Sequence, residues 1–427
     1  MNGTQRVEPA EHLRGSVRVP GDKSTSHRAL LLSALAPGKS VISGLSMGDD
    51  VAATRTIIGQ LGAETRDDDG DVVVIGPETG LAASEEELNC ENSGTTMRLL
   101  CGVLAHVDGR HRLVGDLSLS KRPMDRVATP LALMGTHVDG QGDRCYAPLI
   151  VEGTSELRGI DYSVPYASAQ VKSAILLAGM YAQGETIVRE SVRTRTATED
   201  MLTLCGVDVA LRNEGAGRVV TIRRGRPQRH HWRVPGDPSQ AAFFAVLASI
   251  HHDATLEVLS LDASTERVGF VAVLQRMGAR VELIERSGVT ALRAESSMLH
   301  ATEVHAHEIP SVDEVPVLAV AAVAASGVSV FRSMSELRVK ESDRFEGSLL
   351  LAQALGATAW AEGDDLFIEG LGSAERFLDF TFDAALDHRM VMAAAVAGCA
   401  GRGATIVGAQ TVASSYPTFF RDLTLLQ

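Results

Sequence analysis

Val19-Pro20-Gly21-Asp22-Lys23-Ser24 recurs half a chain later as Val234-Pro235-Gly236-Asp237-Pro238-Ser239 in a protein of 427 residues. Both copies lead into apolar stretches, Ala29–Ala36 and Ala241–Ile250, whose composition predicts helices. The first copy continues with Lys23, Ser24, His27 and Arg28, whereas the second has Pro238 and apolar residues in their place. The duplicated turn predicts a doubled scaffold. Cations kept in one copy alone predict a ligand site there, because a structural turn needs neither Lys23 nor Arg28.

A finer period runs through both halves. An apolar helix end, a glycine and a short β segment recur at Leu61-Gly62-Ala63, Met134-Gly135, Cys205-Gly206-Val207, Met277-Gly278-Ala279 and Leu355-Gly356-Ala357. The step is roughly 70 to 80 residues, a repeat of helix, glycine stop and strand. One more step reaches the C-terminus, where Phe419–Leu426 predicts a last helix with no strand after it. The missing strand is expected from the N-terminus, at Arg14–Val19, so that both chain ends close the sixth unit. Six units in two sets of three predict two similar domains: residues 1–20 with 236–427, and residues 21–235. The chain crosses between them near Pro20 and Pro235.

Composition sets the class. Hydrophobic residues make up 45% and charged residues 22%, an ordinary globular balance, while aromatics are only 4%. The cores must therefore be built from Ala, Val and Leu. Cys90, Cys101, Cys145, Cys205 and Cys399 are odd in number and lack CxxC spacing, which predicts reduced thiols in a cytoplasm over disulfides or zinc. Residues 1–15 are polar and show no secretory apolar core, and the apolar run Val315–Phe331, interrupted by Pro316, is too short for a membrane span. A net charge of −14 argues against a nucleic-acid or anionic-membrane surface.

Several predicted helix starts carry cations or amides in their first turn. They are Lys23-Ser24-Thr25-Ser26-His27-Arg28, Asn92-Ser93-Gly94-Thr95-Thr96-Met97-Arg98, Ser168-Ala169-Gln170-Val171-Lys172, Lys340-Glu341-Ser342-Asp343-Arg344 and Asp387-His388-Arg389. The helix dipole disfavours a cation there by about 0.3–1 kcal/mol each. Repetition of the pattern predicts bound anions, since free N–H groups at a helix start already favour phosphate or carboxylate. Ser24 and Thr95 taken singly also read as ordinary caps. The glycines lack Walker or dinucleotide spacing, so no nucleotide is implied. Asp313-Glu314 precedes Pro316, a residue suited to a first helical turn, within Ile309-Pro310-Ser311-Val312-Asp313-Glu314-Val315-Pro316. Glu341 lies between Lys340 and Arg344, where it is either a proton-accepting carboxylate or a capping acid. His230-His231, His251-His252 and His305/His307 have no partner at metal spacing.

These motifs, with Gly115-Asp116-Leu117-Ser118-Leu119 and Arg122-Pro123-Met124 and in this order from about Val17 to Phe420, resemble the 3-phosphoshikimate 1-carboxyvinyltransferase (EPSP synthase) family in its bacterial form. The resemblance implies an α/β (α+β) fold of two similar domains, each of three βαβαββ repeats around parallel helices, an inverse α/β barrel with the active site in the cleft between them. It implies transfer of the enolpyruvyl group of phosphoenolpyruvate to the 5-hydroxyl of shikimate 3-phosphate with release of phosphate. That is a step of the shikimate pathway, toward chorismate and the aromatic amino acids.

Carried over by motif, shikimate 3-phosphate is expected at Lys23, Ser24, Arg28, Ser168, Gln170, Arg195, Asp313 and Lys340. Phosphoenolpyruvate is expected at Lys23, Gly94, Arg122, Gln170, Arg344 and Arg389, with glyphosate occupying that same site. The catalytic residues implied are Asp313 as base and Glu341 or Lys23 as acid. No metal or other cofactor is implied, the two substrates are the partners, no nucleic acid or membrane is expected, and the protein is expected to be a cytoplasmic monomer.

Three positions depart from the family pattern: Glu91 where many members have Gly, Ala197 for a usual His, and Ser414 where one subclass has Lys. Of the alternatives, the sibling acting on UDP-N-acetylglucosamine carries a reactive Cys in its mobile loop. Ser118-Leu119-Ser120-Lys121-Arg122-Pro123 has none. The acidic net charge disfavours RNA 3′-phosphate cyclases, which share the fold shape. An enolpyruvyl transferase with another acceptor, and a non-catalytic binding homologue, stay open at this point.

Overall fold

The five glycines that punctuate the sequence all adopt positive φ, from 82° at Gly206 to 101° at Gly62 and Gly135. The computed structural model describes residues 3–264, 267–286, 288–309 and 311–427, so Pro310 of the acidic motif and the first two residues lie outside it. Each of these glycines follows a helix, Asp49–Gln60, Asp125–Leu133, Ala197–Leu204, Gly269–Arg276 or Arg344–Ala354, and precedes an edge strand. A left-handed residue after the last turn reverses the chain while the closing N–H groups still find carbonyls, and only glycine does so without a Cβ penalty.

The chain divides into two compact units, Met1–Asp22 with Pro235–Gln427, and Lys23–Val234. Each unit has its own apolar core. In the second unit the repeat is strand, helix, strand, helix, strand, strand. Leu88–Asn89, Gly94–Leu104, Gly109–Val114, Asp125–Leu133, His137–Gln141 and Tyr146–Gly153 form one copy; Asp161–Val164 opens the next, which ends at Arg223. Each copy makes a four-stranded mixed sheet in which the opening strand is parallel to the second and the last two complete an antiparallel ladder.

The remaining copies are permuted. Strand Leu13–Val17 pairs in parallel with Ala254–Leu261 in the first unit, yet the helix that follows it in sequence, Lys23–Leu35, belongs to the second. Conversely His231–Arg233 pairs with Gly38–Ser43 of the second unit and leads into Pro238–Ile250 of the first. The duplicated turn is thus the strand-to-helix connection at which the chain changes unit. Its two copies hydrogen-bond to each other, Asp22 N to Pro235 O at 2.7 Å and Asp237 N to Pro20 O at 2.9 Å. Both aspartates accept from Arg267 Nη2, at 2.5 and 2.6 Å, which explains why each copy carries one.

One expectation is corrected. The strand near Arg14–Val19 does not close the sixth repeat but opens the fourth, beside Ala254–Leu261. The sixth sheet has three strands, Phe380–Asp383, Ala404–Val407 and, antiparallel to the latter, Thr4–Val7. The polar stretch Thr4–Val7 shows little alternation of its own, so its strand character comes from pairing with a buried neighbour rather than from propensity.

Helices Pro238–Ile250, Val315–Ala324 and His388–Ala400 are buried at every position. Such helices, apolar all round, can only be central, and the three pack on one another with sheets outside them. Lys23–Leu35, Gly94–Leu104 and Ala169–Gly179 form the corresponding centre of the second unit. Among the described residues no helix is long and apolar enough to cross a membrane.

Candidate active site

The predicted cation-bearing helix starts are observed, at Lys23, Gly94 and Ala169 in one unit and at Arg344 and His388 in the other. Each unit collects its own cluster of ionisable side chains at these ends.

In the Lys23–Val234 unit, Lys23 Nζ is 2.8 Å from Asp50 Oδ2, both side chains largely buried. Ser93 caps the helix at Gly94 by accepting from Thr96 N at 3.1 Å. A Cβ on Gly94 would lie 2.8 Å from Arg98 Nη1 and 3.3 Å from Arg122 Nη1. Two guanidinium groups therefore converge over a helix start, a placement that calls for an anion. Arg122 is held by Asn92 Oδ1 at 2.8 Å and Ser118 Oγ at 3.1 Å, and Arg98 donates to Gln170 Oε1 at 2.8 Å. Gln170 in turn donates to Thr95 Oγ1 at 3.0 Å. Ser168 caps its own helix by accepting from Val171 N at 3.4 Å. Arg28 is buried and braced by Ser24 O, Thr198 Oγ1 and Ser173 Oγ at 2.6 to 2.9 Å. Arg195 is half-buried in the irregular segment before Ala197–Leu204.

In the other unit Arg344 is fully buried and surrounded by carboxylates. Its Nε and Nη2 bind Asp387 at 2.7 and 3.1 Å, Nη2 lies 2.5 Å from Glu341 Oε2, and Nη1 lies 2.8 Å from Asp313 Oδ1. Arg389 Nη2 takes the other Asp313 oxygen at 3.3 Å, and among the described residues its buried Nη1 has no hydrogen-bond partner. Asp387 also caps the helix that begins at His388, accepting from Arg389 N at 2.9 Å. Burial would raise the Asp313 carboxyl, but the charges of Arg389, Lys340 and Arg344 outweigh it and hold it well below the usual carboxylate range. Left-handed backbone stands just before three of these motifs, at Glu91 (φ 50°), Val312 (φ 52°) and Ala385-Leu386 (φ 49° and 58°). For a β-branched residue such as Val312 that is strain, of the kind retained where it aims a functional group, here Asp313.

The candidate residues thus fall into two sets, Lys23, Ser24, Arg28, Gly94, Arg122, Ser168, Gln170 and Arg195 in one unit, Asp313, Lys340, Glu341, Arg344 and Arg389 in the other. Lys172, expected as a ligand-facing cation, instead has a wholly buried ammonium between Glu190 and Glu199. Sequence reading gave Asp387 no role beyond its place in a helix-start motif, and it passed over Asp50, Thr198 and the bracing role of Arg98. Asp387 alone carried a visible signal, an N-cap acid followed by two bases. Glu91 is exposed, its carboxylate accepting from Asn89 Nδ2 at 2.7 Å. Ser414 closes a local turn onto Thr411 O at 2.8 Å.

The sequence profile of EPSP synthase (3-phosphoshikimate 1-carboxyvinyltransferase) matches residues 7–423. The chain is 37% identical over 423 residues to a 3-phosphoshikimate 1-carboxyvinyltransferase of Lactococcus lactis subsp. lactis (strain IL1403), covering 97% of each. It is 39% identical over 422 residues to that of Streptococcus equi subsp. zooepidemicus (strain H70), again with 97% of each covered. Among solved structures, an EPSP synthase from Acinetobacter baumannii matches with a TM-score of 0.86 at 35% identity, over 100% of this chain and 98% of that one. The enolpyruvyl transferase NikO from Streptomyces tendae, at 18% identity and a TM-score of 0.78 over 99% and 96% of the two chains, shares the fold.

Proposed function

The chain belongs to the EPSP synthase (3-phosphoshikimate 1-carboxyvinyltransferase) family, and from that premise we propose how its residues divide the work. The reaction moves the enolpyruvyl group of phosphoenolpyruvate to the 5-hydroxyl of shikimate 3-phosphate and releases phosphate. Phosphoenolpyruvate is taken by Lys23, Gly94, Arg122, Gln170, Arg344 and Arg389. Shikimate 3-phosphate is taken by Lys23, Ser24, Arg28, Ser168, Gln170, Arg195, Asp313 and Lys340. Both substrates draw on residues of the two units. The enzyme acts as a monomer in the cytoplasm, each chain carrying both sets of residues.

The observation that carries the reading is the Asp313 carboxylate between Arg344 and Arg389, beside an Arg389 Nη1 that has no acceptor among the described residues. A buried guanidinium N–H without an acceptor is costly unless a ligand supplies one, and the carboxylate of phosphoenolpyruvate does so. That anion also draws the two arginines from Asp313, whose proton affinity then rises toward that of a usable base. Asp313 takes the 5-hydroxyl proton as the oxygen attacks C2, and Glu341 or Lys23 protonates the methylene carbon. The tetrahedral intermediate then gives a proton of its new methyl group back to the residue that protonated it as the C2–O bond to phosphate breaks, which restores the double bond and releases phosphate, the fixed cations stabilising the developing charge. Phosphate release measured with phosphoenolpyruvate and shikimate 3-phosphate, and with other hydroxyl acceptors, tests the assignment. Turnover preferring another acceptor would refute it.

A further inference from the structure

Lys172 is the anomaly of an otherwise apolar helix. In Ala169–Gly179 it stands among Val171, Ala174, Ile175, Leu176 and Leu177, with a side chain of 0% exposure. Its ammonium meets three acceptors: Glu190 Oε2 at 2.9 Å, Glu199 Oε1 at 2.7 Å and Arg195 O at 3.1 Å. Glu190 ends the strand Glu185–Glu190, Glu199 lies in the first turn of Ala197–Leu204, and Arg195 lies in the irregular segment between them. Thr194 Oγ1 donates to the other Glu190 oxygen, and Arg218 Nη1 to Thr194 O at 3.1 Å.

A buried ion pair is poor evidence of stability, because well-packed apolar groups of similar volume do as well or better. What the ammonium supplies is geometry, hydrogen bonds to Glu190 and Arg195 O and an ion pair with Glu199 that fix both ends and the middle of one loop. We infer that Lys172 is a positioning residue that holds the 191–198 segment so that Arg195 is presented to the acceptor substrate and Thr198 to Arg28. Thr198 matters through Arg28, whose Nε it accepts at 2.6 Å, while Ser173, the neighbour of Lys172, accepts from Arg28 Nη2 at 2.9 Å. Two candidate ligands of shikimate 3-phosphate, Arg28 and Arg195, are thereby set by one helix turn that also carries Gln170. Those of phosphoenolpyruvate in the other unit are not.

The inference rests on the substrate assignment above, so its test has a readout that does not need substrate. Lys172→Met should raise KM for shikimate 3-phosphate about tenfold, with kcat and KM for phosphoenolpyruvate changed less than about threefold. Amide exchange of residues 191–197 in the full chain without substrate should quicken at the same time. Lys172→Met leaves two buried carboxylates without their cation, so Lys172→Met/Glu199→Gln serves as control. It should recover thermal stability while KM stays high. The inference is overturned if exchange is unchanged, or if both KM values rise and kcat falls together with stability and all return in the double variant. Wild-type protein indifferent to shikimate 3-phosphate would sink the substrate assignment, and the exchange rates would still judge the strut.

Discussion

Replacing Asp313 with Asn keeps the shape of the side chain and removes its charge, which separates two roles that the geometry gives it. The first is as base. Loss of a positioned proton acceptor lowers kcat by about 10²–10⁴. The second is as a competitor for the arginines that receive phosphoenolpyruvate. Asp313 holds Arg344 at 2.8 Å and Arg389 at 3.3 Å. A pair of unit charges at about 4 Å and an effective dielectric of 20 is worth roughly 4 kcal/mol. The Asp313 side chain is 23% exposed and the guanidinium groups keep other partners, so about 1 kcal/mol of competition remains, or roughly fivefold in affinity. Asp313→Asn should therefore lower kcat strongly and also lower KM for phosphoenolpyruvate. The assay is steady-state phosphate release with each substrate varied, with urea unfolding to establish that the variant is folded. The free-state carboxyl sits below its unfolded value, so its ionised form stabilises the fold above the unfolded pKa, about 4, and that contribution fades as pH falls toward the folded pKa. Stability of the variant should fall less steeply with acid than that of the wild type. A folded variant with wild-type kcat would refute the base. Unchanged KM for phosphoenolpyruvate would refute the competition.

Asp387→Ala should cost about 3–5 kcal/mol in denaturant unfolding, because it removes both a helix cap and the bidentate partner of the fully buried Arg344; a change under about 1 kcal/mol would mean that Arg344 finds another anchor. Gly94→Ala places a methyl against Arg98 and Arg122 and so shortens the site where phosphoenolpyruvate is proposed to bind. Titrations of glyphosate against phosphoenolpyruvate should then show inhibition weakened much more than phosphoenolpyruvate use, and equal inhibition constants in the two proteins would remove Gly94 from that site. Shikimate 3-phosphate, if it neutralises the cations proposed for it in both units, should reduce the radius of gyration in solution scattering, further so with an enolpyruvate analogue, and an unchanged profile at saturation would count against that proposal.

Much of the scaffold was legible because its demands are local. A chain that must reverse after a helix needs a left-handed residue there, and glycines at Gly62, Gly135, Gly206, Gly278 and Gly356 meet that demand at an even step. The helix starts were legible for the same reason, since capping residues and the free N–H groups they serve lie within one turn. Their cations and amides, read in order, were enough to identify the family. Only the tertiary structure decided which strand completes which sheet. The sixth sheet took Thr4–Val7 in place of the Arg14–Val19 strand expected there, and Leu13–Val17 went to another sheet, because strand partners many residues away leave no mark on the local pattern of either segment. It decided as well that Lys172, which the sequence groups with ligand-facing cations, is spent internally on Glu190 and Glu199. The affinity of a charge for its neighbours depends on distance and burial, and those exist only once the chain has packed.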